Sequence, residues 1–179
     1  MNKIEKMVLF TIISMSLVFS SCSKNEPDGP ANSVSEGVIK AKVDGAWVTT
    51  ESMTGAANLV ERVGTLTLLG STAGTSSKSF MFVVNGFEGA GEYAIGGSNN
   101  IAVSGSYTEI AVNLSNPSNS QSNSWQAPYT GGNEVGKITI KEVTDTHVIG
   151  TFQFKAKNTK DNTFKEITEG SFNLKLRKS

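Results

Sequence analysis

From Glu36 onward, apolar and polar residues alternate with a period of two. Ile39, Ala41 and Val43 alternate with Lys40, Lys42 and Asp44. Phe80, Phe82 and Val84 share one face of a segment. Ile110, Val112 and Leu114 do likewise, as do Ile138 and Ile140. Val148, Gly150, Phe152, Phe154 and Ala156 alternate with Ile149, Thr151, Gln153 and Lys155. Phe172, Leu174 and Leu176 alternate with Asn173, Lys175 and Arg177. Such alternation predicts antiparallel strands with one face on a core and the other in water.

Turn residues fall between these runs. Asp44-Gly45 suits a two-residue hairpin in which both residues need positive φ. Gly86 and Gly89-Ala90-Gly91 precede a strand at Glu92–Ile95, and Gly96-Gly97-Ser98-Asn99-Asn100 ends it. Asp145-Thr146 joins Lys137–Val143 to His147–Lys157. Ala56–Val63 fits either a strand or a helical turn. The prediction is an all-β domain of roughly ten strands, an antiparallel β-sandwich or a β-barrel-like meander.

Residues 115–124, Ser-Asn-Pro-Ser-Asn-Ser-Gln-Ser-Asn-Ser, have nothing apolar to bury. They are expected to form a long mobile loop. Trp125 and Tyr129 follow at once, around Pro128. Aromatic rings at a loop rim can stack on a sugar or anchor a protein partner. These two residues are therefore the candidate binding residues. The alternative is that they pin the loop to the end of the domain. Trp47 and Tyr93 are expected to pack at the core edge.

The N-terminus carries a different signal. Lys3 and Lys6 precede an apolar run of 13 residues, Met7–Phe19, then Ser20-Ser21 and Cys22. The order of charge, apolar run and small residues is that of a secretory leader. The run falls short of the ~18 residues that span a bilayer. Cys22 is the one cysteine in the chain. Phe19-Ser20-Ser21-Cys22 resembles a lipobox, with Phe where Leu is usual. A thiolate is the nucleophile needed to take up a diacylglycerol group. Residues 1–21 therefore read as a lipoprotein signal peptide and Cys22 as the lipidation site. Residues 22–35 read as lipidated cysteine and flexible tether, and residues 36–179 as a single domain. The expected location is the cell envelope, lipid-anchored at the outer membrane on its periplasmic face or at the cell surface.

Charge narrows the picture slightly. The whole chain is formally neutral, with 16 basic and 16 acidic residues. Residues 22–136 hold 5 basic and 10 acidic residues, whereas residues 137–179 hold 9 and 5. This asymmetry suits solvated outer faces and falls far below the basic density of a nucleic-acid binder.

No catalytic constellation emerges. His147, the one histidine, lies beside a hairpin turn, and zinc needs more nitrogen or sulfur ligands than this chain offers. Gly89-Ala90-Gly91-Glu92-Tyr93-Ala94 has the spacing of a dinucleotide loop but continues as a strand instead of opening a helix. Glu88, Glu92 and Glu109 could pair for glycoside hydrolysis, yet such carboxylates are common on outer strand faces. No metal ligand set and no cofactor are expected.

Three segments together resemble a known family: Lys40-Ala41-Lys42-Val43-Asp44-Gly45-Ala46-Trp47, Gly89-Ala90-Gly91-Glu92-Tyr93, and Gly150-Thr151-Phe152-Gln153-Phe154-Lys155-Ala156 with Glu169-Gly170-Ser171-Phe172. Behind a lipoprotein cysteine they resemble the uncharacterised small lipoproteins of Bacteroidota that carry a domain of unknown function. The resemblance implies an extracytoplasmic β-rich domain and brings no catalytic residues. The expected function is a non-enzymatic binding or interaction module, its partner a glycan or an envelope protein. The alternatives are a glycan hydrolase and a structural accessory subunit of an envelope complex.

Overall fold

The computed structural model describes residues 34–97, 102–131 and 133–179. The leader, Cys22 and residues 23–33 of the tether lie outside the described residues, as do Ser98–Asn100 of the expected turn. The described residues form eleven strands: β1 (Val38–Val43), β2 (Ala46–Thr49), β3 (Ala56–Val60), β4 (Thr65–Ser71), β5 (Ser76–Asn85), β6 (Gly91–Gly96), β7 (Val103–Ala111), β8 (Gln121–Ala127), β9 (Glu134–Val143), β10 (His147–Lys157) and β11 (Phe164–Lys178). The all-β expectation holds.

The strands run in two layers that share their corners. One layer is ordered β2-β1-β11-β10-β9-β6 and the other β3-β4-β5-β7-β8. At one corner the end of β11 pairs with β3, Leu176 opposite Ala57. This pairing is parallel, whereas every other pairing among the described strands is antiparallel. At the other corner Lys157 of β10 stands opposite Gln126 of β8. The two open forms expected from sequence thus merge: a sandwich whose hydrogen-bond ladder closes like a barrel.

Between the layers lies one core. Phe80 and Phe82 of β5 meet Phe152 and Phe154 of β10, with the Phe82 and Phe152 ring centroids 4.6 Å apart. Phe172, Leu174, Ile138 and Tyr107 complete its centre, all essentially inaccessible to water. Core phenylalanines sit beside glycines of neighbouring strands. Gly170 faces the Phe152 ring, Gly150 the Phe172 ring, Gly105 the Phe82 ring, and Gly136 the Cβ of Phe154. An added Cβ would fill the space each phenylalanine occupies. This explains why the Gly-Thr-Phe and Gly-Ser-Phe strings recur: each small residue makes room for a large one across the ladder.

Local chemistry explains the corners of the chain trace. Asp44 and Gly45 both have positive φ, 48° and 83°, as the two-residue hairpin between β1 and β2 requires. Ala56–Val60 is strand, followed by a single 3₁₀ turn at Glu61–Val63. Gly91 opens β6 and no helix follows it.

Two expected core assignments are corrected. Trp47 lies on the outer face of β2 and is 50% exposed. The inward residue of that short edge strand is Val48, and Trp47 is instead covered by Lys40 and Lys42, 4.6 and 5.1 Å from its ring. Ile110, Val112 and Leu114 point away from the core. The inward residues of β7 are Val103, Gly105 and Tyr107, one position out of phase with Ile110. Tyr93, as expected, packs at the core edge, stacked on Phe87 and donating its hydroxyl to the Gly89 carbonyl.

Candidate functional site

The corner where β8 meets β10 gathers Trp125, Tyr129 and Phe164 with Lys155, Lys157 and Lys165. Its inner part is Trp125. Residues 121–127 form β8 and pair with β7, so the expected loop is confined to the residues before Gln121, with a 3₁₀ turn at Pro117–Asn119. The run Ser-Gln-Ser-Asn-Ser-Trp is polar because alternate positions face solvent and the inward positions before Trp125 lie beyond the core. Trp125 faces inward and is 6% exposed. Its ring lies 6.0 Å from Tyr107, and its indole N–H donates to Thr163 Oγ1 at 2.9 Å. The expectation that it stands at a loop rim is corrected: it closes one end of the core.

Above Trp125 lies a polar lid. The Lys165 ammonium sits 5.2 Å from its ring centre and pairs with Asp44 Oδ2 at 2.8 Å. Partial burial raises the Asp44 carboxyl, but the Lys165 hydrogen bond and the Glu166 amide lower it more, and it titrates below the ordinary aspartate range. The Tyr107 hydroxyl donates to Glu109 at 2.7 Å. Burial and then that carboxylate push the phenol above its ordinary range, so it stays protonated.

The outer part of the corner is Tyr129 and Phe164. Tyr129 is half-buried and meets Phe164 edge-on, centroids 5.5 Å apart. Phe164 is 44% exposed and faces outward, opposite Lys157 in the ladder. Lys155 and Lys157 lie over its ring at 4.8 and 5.8 Å. Neither lysine has a carboxylate partner among the described residues, although Glu166 stands opposite Lys155. The other lysines of this layer are largely paired, Lys137 with Glu92, Lys175 with Glu36 and Lys178 with Asp145. Beside the corner, Met81, Val83, Ser104, Ser106, Gln126 and Pro128 line a shallow groove of about 400 Å³.

Trp125 and Tyr129 are thus brought to one corner, linked through the β10–β11 loop, but only Tyr129 reaches the surface. Phe164, Lys155 and Lys157 were not singled out in the sequence. Their signal was there: Lys155 and Lys157 occupy the polar phase of β10, and Phe164 restarts the next strand just past a polar turn. The other tested groups are dispersed. His147 Nε2 contacts Glu36 at 2.6 Å and its Nδ1 contacts Thr146. Glu92 holds Lys137, and Glu109 holds Tyr107. Among the described residues no group of three or more His, Cys, Asp or Glu side chains is placed to hold a metal ion, and no helix is long and apolar enough to cross a membrane.

No curated protein and no solved structure gives a significant match to the chain. Residues 35–174, from the last tether residue to the middle of β11, match the family described as a domain of unknown function, DUF6252. That span takes in both layers and the corner just described, and the chain belongs to this family.

Proposed function

We propose that this chain is an envelope lipoprotein, anchored through lipidated Cys22, whose β domain is a non-enzymatic binding module. The carrying observation is the Tyr129–Phe164 corner. An exposed aromatic ring flanked by two lysines that lack carboxylate partners among the described residues borders a groove lined by hydroxyl, amide and apolar groups. Cation–ring contacts at exposed sites contribute only about 0.5–1 kcal/mol, so the ring can exchange its lysines for a ligand at little cost. Aromatic side chains that are covered only on binding are typical anchors. The membrane link rests on Lys3, Lys6, the apolar run and Cys22.

The test is binding to a panel of neutral and acidic polysaccharides, with Phe164→Ala and Tyr129→Ala as variants. Loss of retention at unchanged melting temperature supports the corner as the contact. Retention that is unaffected by both substitutions removes it.

A second reading, an accessory subunit of an envelope assembly, is favoured by the outward series Ile110, Val112 and Leu114. These are 37%, 43% and 76% exposed. A stable co-purifying partner that is lost on Leu114→Asp would favour that reading over the first.

A further inference from the structure

The two outer faces of the sandwich differ in charge. The outward residues of the β1–β11–β10 side include Lys40, Lys42, Lys155, Lys157 and Lys175. The outward residues of β3, β4, β5, β7 and β8 include no Asp, Glu, Lys or Arg. On β4 they are Thr65, Thr67, Leu69 and Ser71. On β7 they are Ser104, Ser106, Thr108 and Ile110. The charged residues within these strands, Lys78 and Glu109, stand opposite each other in the inward phase, at the end of the sandwich. The neutral face is bounded by Arg177, opposite Asn58, and by Lys157, opposite Gln126.

A solvent-facing sheet ordinarily carries charges of both signs, which keep it soluble and unpaired. This chain holds 32 charged residues in 179 by its own count, 16 of each sign, and places none on these five outward rows. The rows hold hydroxyls and amides instead, with the apolar Ala56, Val60, Leu69, Met81, Val83 and Ile110 among them. Register sets Thr67, Val83 and Ser104 side by side, and next to them Leu69, Met81, Ser106 and Gln126. The rows repeat about every 4.8 Å across strands and about every 6.8 Å along them. Thr108 and Ser124 bond each other, but Ser79, Ser104 and Gln126 find no side-chain partner among the described residues. Met81, 47% exposed, and Val83 supply the apolar ground of the groove.

We infer that this neutral hydroxyl face, with its Met81–Gln126 groove, is the binding surface for an uncharged polysaccharide. The inference rests on the binding-module reading above and names the ligand class. Covering hydroxyls and amides with a ligand that returns their hydrogen bonds costs far less than stripping water from ammonium or carboxylate groups. A neutral sugar chain offers such hydroxyls on its rim and apolar C–H faces for Met81 and Val83. A protein partner would be met by aromatic, Met and Arg anchors at the centre of the patch; of these the face offers Met81 alone, with no aromatic residue and no arginine in its outward rows. Pro128 lines the groove, and the next residue in the chain is Tyr129, so the aromatic corner lies beside it.

The test is affinity electrophoresis of the full-length chain in gels containing dextran, laminarin, a soluble linear β-1,4-glucan or polygalacturonate, at low and high salt. The variants are Ser106→Lys and, as a second more exposed position, Gln126→Lys, with melting temperature measured on each. The expected result is salt-insensitive retardation by at least one neutral polymer, weakened about tenfold or more by either lysine at unchanged melting temperature. Retardation by a neutral polymer that survives both lysines but is lost in Phe164→Ala overturns the sheet face and leaves the corner as the site. Retardation by polygalacturonate alone, relieved by salt, overturns the neutral ligand while the module reading stands. A dimer that either lysine dissociates, with no polymer bound, assigns the face to a second copy and overturns the inference. No retardation by any polymer overturns the inference and the glycan reading of the module together.

Discussion

The indole N–H of Trp125 donates to Thr163 Oγ1 at 2.9 Å, and Thr163 in turn donates its hydroxyl to Asp161 Oδ1 at 2.8 Å. One tryptophan thereby fastens the end of β8 to the loop between β10 and β11, at the corner where the two layers join. A buried tryptophan with a satisfied N–H is a packing residue with a polar handle. Trp125→Phe should keep most of the packing and lower stability by about 1 kcal/mol through the lost hydrogen bond. Trp125→Ala should cost about 3–5 kcal/mol. Urea denaturation of both variants checks the order; a Trp125→Phe protein as stable as the parent would mean the N–H contributes nothing, and equal losses would mean the ring packing contributes nothing.

The phenylalanine layer gives a second expectation. Phe152→Ala or Phe154→Ala should each destabilise by about 3–5 kcal/mol, because both rings are nearly inaccessible and touch Phe82. A loss under about 1 kcal/mol would deny these rings their place at the centre of the core.

Gly150 offers a test in the opposite sense. A Cβ there would run into the Thr139 carbonyl oxygen and the Phe172 ring. Gly150→Ala should destabilise by about 1–3 kcal/mol through overpacking, whereas Gly74→Ala meets open space and is strained only by its backbone. Comparing the two melting temperatures separates crowding from conformational strain, since both lie outside helices.

Asp44 gives a pH dependence. Its carboxyl titrates below the ordinary aspartate value because Lys165 and the Glu166 amide outweigh its partial burial. A lowered folded value means that the unfolded chain binds the proton first as pH falls. The Asp44–Lys165 stabilisation is therefore complete above the ordinary aspartate range and is lost as pH falls through the lowered folded value. Lys165→Met should narrow the stability gap to the parent protein between pH 5 and pH 2, a range fixed by carboxylates near pH 4. Other carboxyls, Glu36, Asp145 and Asp161, are lowered too, but they cancel in the difference. A gap that stays constant with pH would show that Lys165 acts only by packing on Trp125.

Cys22→Ser should release the protein from membranes while leaving the domain folded. Fractionation with metabolic lipid labelling checks it, and a variant that still carries label and pellets with membranes would end the lipoprotein proposal.

The strands were legible in the sequence because period-two alternation survives wherever one face is buried. It misled where alternation was present on a surface without a core beneath it. Ile110, Val112 and Leu114 alternate well, but β7 takes its core phase from Tyr107 and Val103, and the apolar series beyond Glu109 runs past the end of the sandwich. Trp47 was misassigned because a four-residue edge strand has too few positions to fix its phase. Trp125 looked like a rim residue because the polar string before it hid a strand whose outward residues are all hydroxyls or amides. The corner itself depends on Lys157 facing Gln126, a contact between residues 31 positions apart, and no local pattern announces such a pairing. The neutral face was hidden for a related reason: counting charges along the chain averages over two faces that only the topology separates.

The fifteen-residue β11 is the last strand of the domain and touches β1, β3 and β10. Until it is in place, β1 with β2 has no layer to join, and β3 with β4 has no corner to close. A ribosome therefore finishes nearly the whole domain before its architecture can lock. Local hairpins can form earlier, but the chain stays pliable and threadable until its final segment is delivered. Pairings so distant along the chain slow folding; under the lipoprotein proposal, in which the polypeptide passes a narrow pore before it folds, that delay is an advantage built into strand order.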